Sequence, residues 1–288
     1  MEAVLGTAKD VSHFLVSIVI PCYNAEDHVA EAIRSALEQT YSPTEVIVVD
    51  DGSTDGSLEV MGSFGNAVQC LTGPNAGAAA ARNKGAAAAQ GELLQFLDAD
   101  DVLSPNKLER QVPIAIEHRP GVVFCDATVI DHATGDVLGE WGRSSISADD
   151  AVTYILSSVV QTATPLHWKE TFDSVGGFRP DTPPCDDPDL HLRLACAGVA
   201  FHHLQEPLVE LRRVAGSLSK RDPEYGLRQH LRIGREACDS LIEREPLCET
   251  RRRAFAGYFA SIGRRATRAG LHDFAATCFS AAREVHSD

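Results

Sequence analysis

A chain of 288 residues with 44% hydrophobic and 23% charged side chains can bury one large core, or one domain with an appendage, and is the wrong length for a disulfide-stapled miniprotein. Its formal charge of −15 is uneven: residues 1–220 hold 14 Lys and Arg against 31 Asp and Glu, a net −17, whereas residues 221–288 hold 12 against 10, a net +2. An acidic body argues against a nucleic-acid groove, which needs clustered cations, but not against a small phosphorylated ligand whose charge a metal offsets.

Residues 1–13 read as a loose leader. The β-branched run 14–20 reads as a buried strand stopped by Pro21. At seven residues, after acidic Asp10, it is too short for a membrane span and lacks the basic flank of a signal peptide. Asn24 is expected to cap a helix in which Val29, Ile33 and Leu37 recur on one face. Residues 46–49 form a second apolar strand ending in Asp50 and Asp51. Strand, helix, strand at this spacing is a βαβ unit, so the sheet is at least partly parallel, and polar groups gather at the carboxyl ends of its strands. The segment 51–56 imitates the start of an EF-hand loop, but the twelfth position is Gly62 rather than a bidentate Glu, which excludes calcium of that kind. A Gly-Pro-Asn turn at 73–75 leads into an alanine-rich helix at 78–89 carrying Arg82, a guanidinium suited to a phosphate or a base edge. Neither GxGxxG nor GxxxxGK[ST] occurs.

Residues 93–101, LLQFLDADD, drive an apolar strand straight into Asp98, Asp100 and Asp101. Crowded acids repel one another, and the alternate pair Asp98 and Asp100 can address one hard divalent ion. The same residues also suit an acidic loop before a helix, with Ser104 as N-cap and Pro105 at the first turn. Beyond them, Leu108, Val112 and Ile116 suggest a helix kinked or shortened by Pro113. Residues 122–125 suggest a strand, and 148–160 a helix. Residues 161–190 read as irregular, with a second acidic cluster at Asp186, Asp187 and Asp189 before a helix ending at Gly198. Two or three amphipathic helices fill 224–286, with breaks near Pro246 and Gly270. The eight scattered cysteines form no CxxC pair and the eleven histidines no HExxH, which favours reduced thiols in the cytoplasm and gives zinc no support.

Five motifs in this order and spacing resemble the inverting family-two glycosyltransferases of GT-A fold: SIVIPCYN (17–24), VVDDGSTDGS (48–57), GPNAGAAAARNKG (73–85), FLDADD (96–101) and VGGFRPDTPPCDDPDLHLRL (175–194). The resemblance covers roughly residues 15–220. It implies a Rossmann-like, mostly parallel mixed sheet flanked by helices, with a nucleotide-sugar half at 14–101, an acceptor half at 102–220, and a helical C-terminal extension at 221–288. By the same resemblance, Pro21, Tyr23 and Glu26 line the nucleotide pocket. Asp50 or Asp51 binds base or ribose, and Arg82 contacts base or diphosphate. Asp98 and Asp100 match the DxD motif for Mn²⁺ or Mg²⁺, with Asp100 the more direct ligand and Asp98 nearer the ribose or sugar. Asp187 is the expected general base, and Gly176, Gly177, Phe178 and Asp186 belong to the acceptor side. The implied partners are a nucleotide-sugar donor, a UDP-sugar favoured over GDP or dTDP, and a glycan, lipid-linked or small-molecule acceptor, as in polysaccharide biosynthesis.

Three departures stand out. The family's Glu-Asp pair reads Asp186-Asp187 followed by Pro188; Arg179-Pro180 follows the Gly-Gly-Phe; and Val214 stands in LRRVAGSLS (211–219), where a histidine metal ligand is common. His202 or His203 is the candidate replacement. The competing readings are a non-catalytic nucleotide-sugar or partner-binding module and a sugar nucleotidyltransferase. The latter wants a Gly-rich, basic phosphate loop after the first strand, which PCYNAED is not. The extension, with its Arg251-Arg252-Arg253 run, is read either as a solvated helix face or as a dock for a partner or the inner membrane surface.

Overall fold

The computed structural model describes residues 13–142, 150–214 and 222–287; the leader and most of the segment 211–219 beyond Val214 lie outside them. The parallel half of the sheet holds β1 (Val16–Cys22), β2 (Thr44–Asp50), β3 (Gln69–Thr72) and β4 (Leu93–Phe96), with Val16 paired to both Thr44 and Leu93. The helices α1 (Val29–Leu37), α2 (Ser57–Gly62) and α3 (Ala78–Ala88) connect these strands. The short β5 (Val102–Leu103) and α4 (Lys107–Glu117) follow, then β6 (Val122–Asp131), β7 (Val137–Trp141), α5 (Ala151–Ser157), β8 (Pro165–Trp168), α6 (Lys169–Ser174), α7 (Asp186–Cys196) and β9 (Phe201–Arg213). The strand order is β3-β2-β1-β4-β8-β6-β9-β5, with β7 beside β6. β8 runs antiparallel to both β4 and β6, so the sheet is mixed.

Strand alternation sorts the core into two layers. Ile18, Ile20, Val46, Val48, Val123 and Cys125 face α1, α2 and α4, whereas Val19, Ile47, Val49, Phe96 and Phe124 face α3, α5 and α7. The C-terminal helices α8 (Pro223–Ile242), α9 (Glu249–Arg268) and α10 (His272–Ser287) join the second layer, where Leu227, Phe255 and Phe259 are buried in the same cluster as Val19 and Phe96. The compositionally distinct tail thus shares the core of the sheet.

Several local expectations shift. α4 begins at Lys107 after Asn106, not at Ser104-Pro105, because Ser104 lends its carbonyl, not its hydroxyl, to the Lys107 amide. The helix runs through Pro113 to Glu117 rather than stopping there. Asn24 is not a cap: it adopts φ 49°, and its side-chain oxygen accepts from the Thr54 amide at 2.8 Å. The segment expected to be irregular contains β8, a central strand. Its opening Pro165 lacks an amide donor but sits at the first strand position, where that loss costs least.

Candidate active site

The carboxyl ends of β1 and β2 form one wall. Tyr23 leaves β1 with 48% of its surface exposed, an aromatic face open at the strand end. The neighbouring loops are laced by side chains: Glu26 Oε2 accepts from the Gly56 amide at 2.5 Å, and Asp55 Oδ2 from the Glu26 amide at 3.2 Å. Asp50 and Asp51 divide their work. Both oxygens of Asp51 accept backbone amides, from Ala76 and Gly77 at 2.8 Å each, clamping the turn that feeds α3. Asp50 Oδ1 accepts from Ser53 at 3.1 Å, and its second oxygen makes no hydrogen bond among the described residues. Gly52, directly after Asp51, has φ +77°, and a Cβ there would lie 2.8 Å from the Asn75 amide nitrogen, so this junction needs glycine.

At the centre, Arg82 of α3 is 5% exposed and reaches two acids from distant parts of the chain: its Nη2 donates to Asp98 Oδ1 at 2.6 Å and its Nη1 to Asp186. Its guanidinium also lies 5.2 Å from the centroid of the Phe178 ring. Burial works against the charge, but Asp98, Asp186 and Asp187 together hold the guanidinium above its ordinary range, so it stays cationic. The sequence assigned Arg82 to base or diphosphate; in this structure it joins the two acidic clusters.

Asp98 and Asp100 leave β4 side by side. Burial, reinforced by Asp98, pushes Asp100 up to about 6. No group of three or more His, Cys, Asp or Glu poised for a metal occurs among the described residues. Two carboxylates suffice for Mg²⁺-like ions, which complete their shell with substrate phosphates and water, so this pair fits an ion that comes with a diphosphate. Asp101 is different. It is 7% exposed, burial drives its carboxyl well above the usual range, and its Oδ1 accepts from the Arg212 amide at 2.9 Å, anchoring β9.

Asp187 stands in the first turn of α7. Its Oδ2 accepts from the Thr162 hydroxyl at 2.5 Å, while its Oδ1 is buried and has no hydrogen-bond partner among the described residues. Burial pushes its carboxyl up to about 7 against the pull of Arg82, with Asp186 and Asp98 adding to the rise. The Gly176-Gly177-Phe178 loop beside it is fastened to α3: Asn83 donates to the Phe178 carbonyl at 2.7 Å and accepts from the Phe178 amide at 3.0 Å. A Cβ on Gly177 (φ +67°) would lie 2.7 Å from Asn83 Oδ1, which explains the glycine. Phe178 itself is 3% exposed against Phe96 and Phe172, so it supports the wall from behind. Arg179, where an acid was expected, pairs with Asp189, which also holds Arg193 at 2.8 Å.

Neither histidine proposed to replace the one missing at Val214 is near this centre. His203 Nε2 lies 2.6 Å from Asp126 and its ring stacks on Phe124; His202 stacks on His118. Both sit at the start of β9, whereas Arg212, which holds Asp101, sits at its end, roughly 30 Å away at the ordinary rise of a strand. His132 sits at the far end of β9, its amide donating to the Arg213 carbonyl at 3.2 Å and its ring meeting the His28 ring edge-on at 4.4 Å. Its sequence neighbourhood carries no sign of this, nor does that of Thr162. Asn83 was legible only as the residue after Arg82.

The order of these acids along a mixed sheet has a counterpart among known proteins. A family model described as Glycosyl transferase family 2 matches residues 17–155. Over that stretch, just under half of its length, the chain is similar to this family. An uncharacterized glycosyltransferase of Rickettsia typhi is 33% identical over 195 residues, covering 66% of this chain and 61% of its own length, so the chain spans about six tenths of that relative. The putative teichuronic acid biosynthesis glycosyltransferase TuaG of Bacillus subtilis is 29% identical over 211 residues, 71% of this chain and 81% of TuaG. Among solved structures, S. aureus TarS 1–349 in complex with UDP-GlcNAc superposes with a TM-score of 0.64 at 17% identity, over 93% of this chain and 91% of that one. The mannosyltransferase PcManGT from Pyrobaculum calidifontis, in complex with GDP-Man and Mn²⁺, gives 0.61 at 17% identity, over 93% and 75%. At such identities the superpositions establish the GT-A-type fold alone. No helix among the described residues is long and apolar enough to cross a membrane.

Proposed function

We propose that this protein transfers a sugar from a nucleoside diphosphate sugar to an acceptor hydroxyl by single displacement with inversion. The observation that carries the reading is the Arg82 bridge, which joins Asp98 of the DxD motif to Asp186, the neighbour of the expected base. Tyr23 stacks on the base, with Pro21 and Glu26 shaping the pocket floor and Asp50 the acid with an oxygen to spare for base or ribose. Asp51 acts by holding the 73–77 turn. Asp98 lies towards the ribose or sugar, and Asp186 orients Arg82, which adds positive potential behind the diphosphate. Gly176, Gly177 and Phe178 form the acceptor-side wall.

Asp187 takes the proton from the acceptor oxygen as that oxygen bonds to the anomeric carbon and the bond from that carbon to the diphosphate breaks. A carboxyl near 7 is well matched to this step, being basic enough to accept the proton while substantially ionised at neutral pH. The Thr162 hydroxyl orients one oxygen, and Oδ1 carries no hydrogen bond that would compete with the acceptor for it. One base on the face opposite the leaving group implies inversion. A Mn²⁺ or Mg²⁺ held by Asp100 and Asp98 would supply Lewis-acid neutralisation of the departing diphosphate.

A uridine donor is favoured, since Tyr23 with a strand-end acid suits uracil, and TarS is the neighbour bound to UDP-GlcNAc. The test is thermal shift with UDP-GlcNAc, GDP-mannose and a dTDP-sugar, with and without Mn²⁺. The expected result is a metal-dependent rise with one nucleotide class, about 2.7 kcal/mol of stabilisation at a hundredfold excess over Kd. No rise with any of them would refute the reading.

A further inference from the structure

A cavity of about 480 Å³ lies among the described residues, lined in part by α7, the helix that carries Asp187. Pro188, one position after the proposed base, and Leu192 line it from α7, and Thr164 lines it two residues after the threonine that orients that base. Its other walls come from β6 and the end of β7 (Phe124, Trp141), from α5 (Tyr154), and from the C-terminal helices (His230 of α8, Tyr258 and Arg265 of α9). The extension therefore completes a chamber that the sheet and its loops leave open on one side.

The lining is chemically uneven. Three aromatic rings with polar tips surround it, and two of the polar groups from the extension are uncharged: His230 Nδ1 and the Tyr258 hydroxyl are 2.9 Å apart, and burial lowers the imidazole to about 4, so it is neutral at physiological pH. Flat apolar faces and neutral hydrogen-bonding groups suit a sugar ring, whose C–H faces stack on aromatics while its hydroxyls need partners. Arg265 adds a cation. It is exposed and forms no ion pair among the described residues, and the same holds for Arg264 and Arg268 in the last turns of α9. An unpaired cation lining a cavity is notable in a protein whose formal charge is −15. Glu140 on the far wall has a partner of its own.

We propose that this cavity is the acceptor subsite and that it takes a saccharide bearing an acidic substituent, the ring beside Trp141 and the acid group against Arg265. The assignment rests on the glycosyl-transfer reading, because it supplies the hydroxyl that Asp187 deprotonates. It gives the C-terminal helices a part in substrate choice in place of a solvated face or a membrane dock. The acid group is a phosphate or a carboxylate, and the two are separable by experiment.

Tryptophan fluorescence provides the readout. The protein has two tryptophans; Trp168 is 1% exposed in the core, and Trp141 lines the cavity, so ligand entry reports through Trp141. Glucose 1-phosphate, glucuronic acid and neutral methyl glucoside are titrated into the whole protein, wild type and Arg265→Gln, with Trp141→Phe as the signal control. The expected result is saturable quenching by one of the acidic sugars, lost in Trp141→Phe and weakened at least about tenfold in Arg265→Gln, with methyl glucoside bound more weakly and equally by both. Preference between the acidic probes identifies the phosphate or the carboxylate. No quenching up to about 10 mM, or equal binding by wild type and Arg265→Gln, overturns the subsite. A parallel thermal shift with UDP and Mn²⁺ separates the two claims. If UDP binds and the sugars do not, the cavity assignment falls alone; if UDP does not bind, the transfer reading falls and takes the acceptor assignment with it.

Discussion

Asp187→Asn should remove activity and add stability, and the two effects should diverge with pH. The unfolded carboxyl titrates near 3.8 and the folded one near 7, a gap of roughly three units, or about 4 kcal/mol at 1.36 kcal/mol per unit. The folded state binds the proton more tightly, so this group lowers stability as pH rises. Its cost is absent below 3.8, grows between there and about 7, and is complete above it. Asparagine carries no charge to desolvate and can still accept from the Thr162 hydroxyl, but its amide nitrogen inherits the buried, partnerless place of Oδ1. That leftover donor returns roughly 1–3 kcal/mol, leaving a net gain of about 1–3 kcal/mol at pH 8. Chemical denaturation at pH 8 and pH 5, beside sugar-transfer or donor-hydrolysis assays, measures both effects. Stability that is unchanged at pH 8, or raised equally at both values, would refute a buried, charge-strained carboxylate at this position. Wild-type activity should rise through a pH near 7, since the ionised form is the base.

Other substitutions probe the remaining parts. Asp100→Asn should abolish the Mn²⁺-dependent part of the UDP thermal shift while leaving any metal-free part, and lower turnover roughly 10²–10³-fold. Asp51→Ala removes two charge-assisted amide contacts from the 73–77 turn. We expect a loss of roughly 2–4 kcal/mol in denaturant melts and a higher donor KM with a smaller change in kcat. Gly85→Ala places a Cβ 2.3 Å from a Val19 methyl, where α3 crosses β1; overpacking there should cost roughly 1–3 kcal/mol and, by moving Arg82, reduce activity as well.

The parts of the fold legible in the sequence share one property: their signals are local. The runs at 14–20 and 46–49 announce strands because a strand buried on both faces needs unbroken apolar residues, and the acids after them fall where strands leave the core. β8 escaped detection because Pro165 and His167 interrupt its pattern, although the strand is central and His167 is 1% exposed. β9 was obscured in the same way by Pro207, which faces Asp126 where the register slips.

From the sequence alone came the strand-ending acids, the alanine-rich helix with Arg82, and the order of motifs that carries the family resemblance. Periodicity and motif spacing are properties of neighbouring residues, so they survive without coordinates. Tertiary structure alone decided that Arg82 clasps an acid 104 positions away, that Asp51 clamps a turn while Asp50 keeps an oxygen, and that His132 rather than His202 or His203 lies at the Arg213 end of β9. It also decided that the C-terminal helices close a cavity beside Asp187. Each of these depends on which strand lies next to which, and long-range register is set by the packing of the whole sheet, which no short stretch of chain encodes.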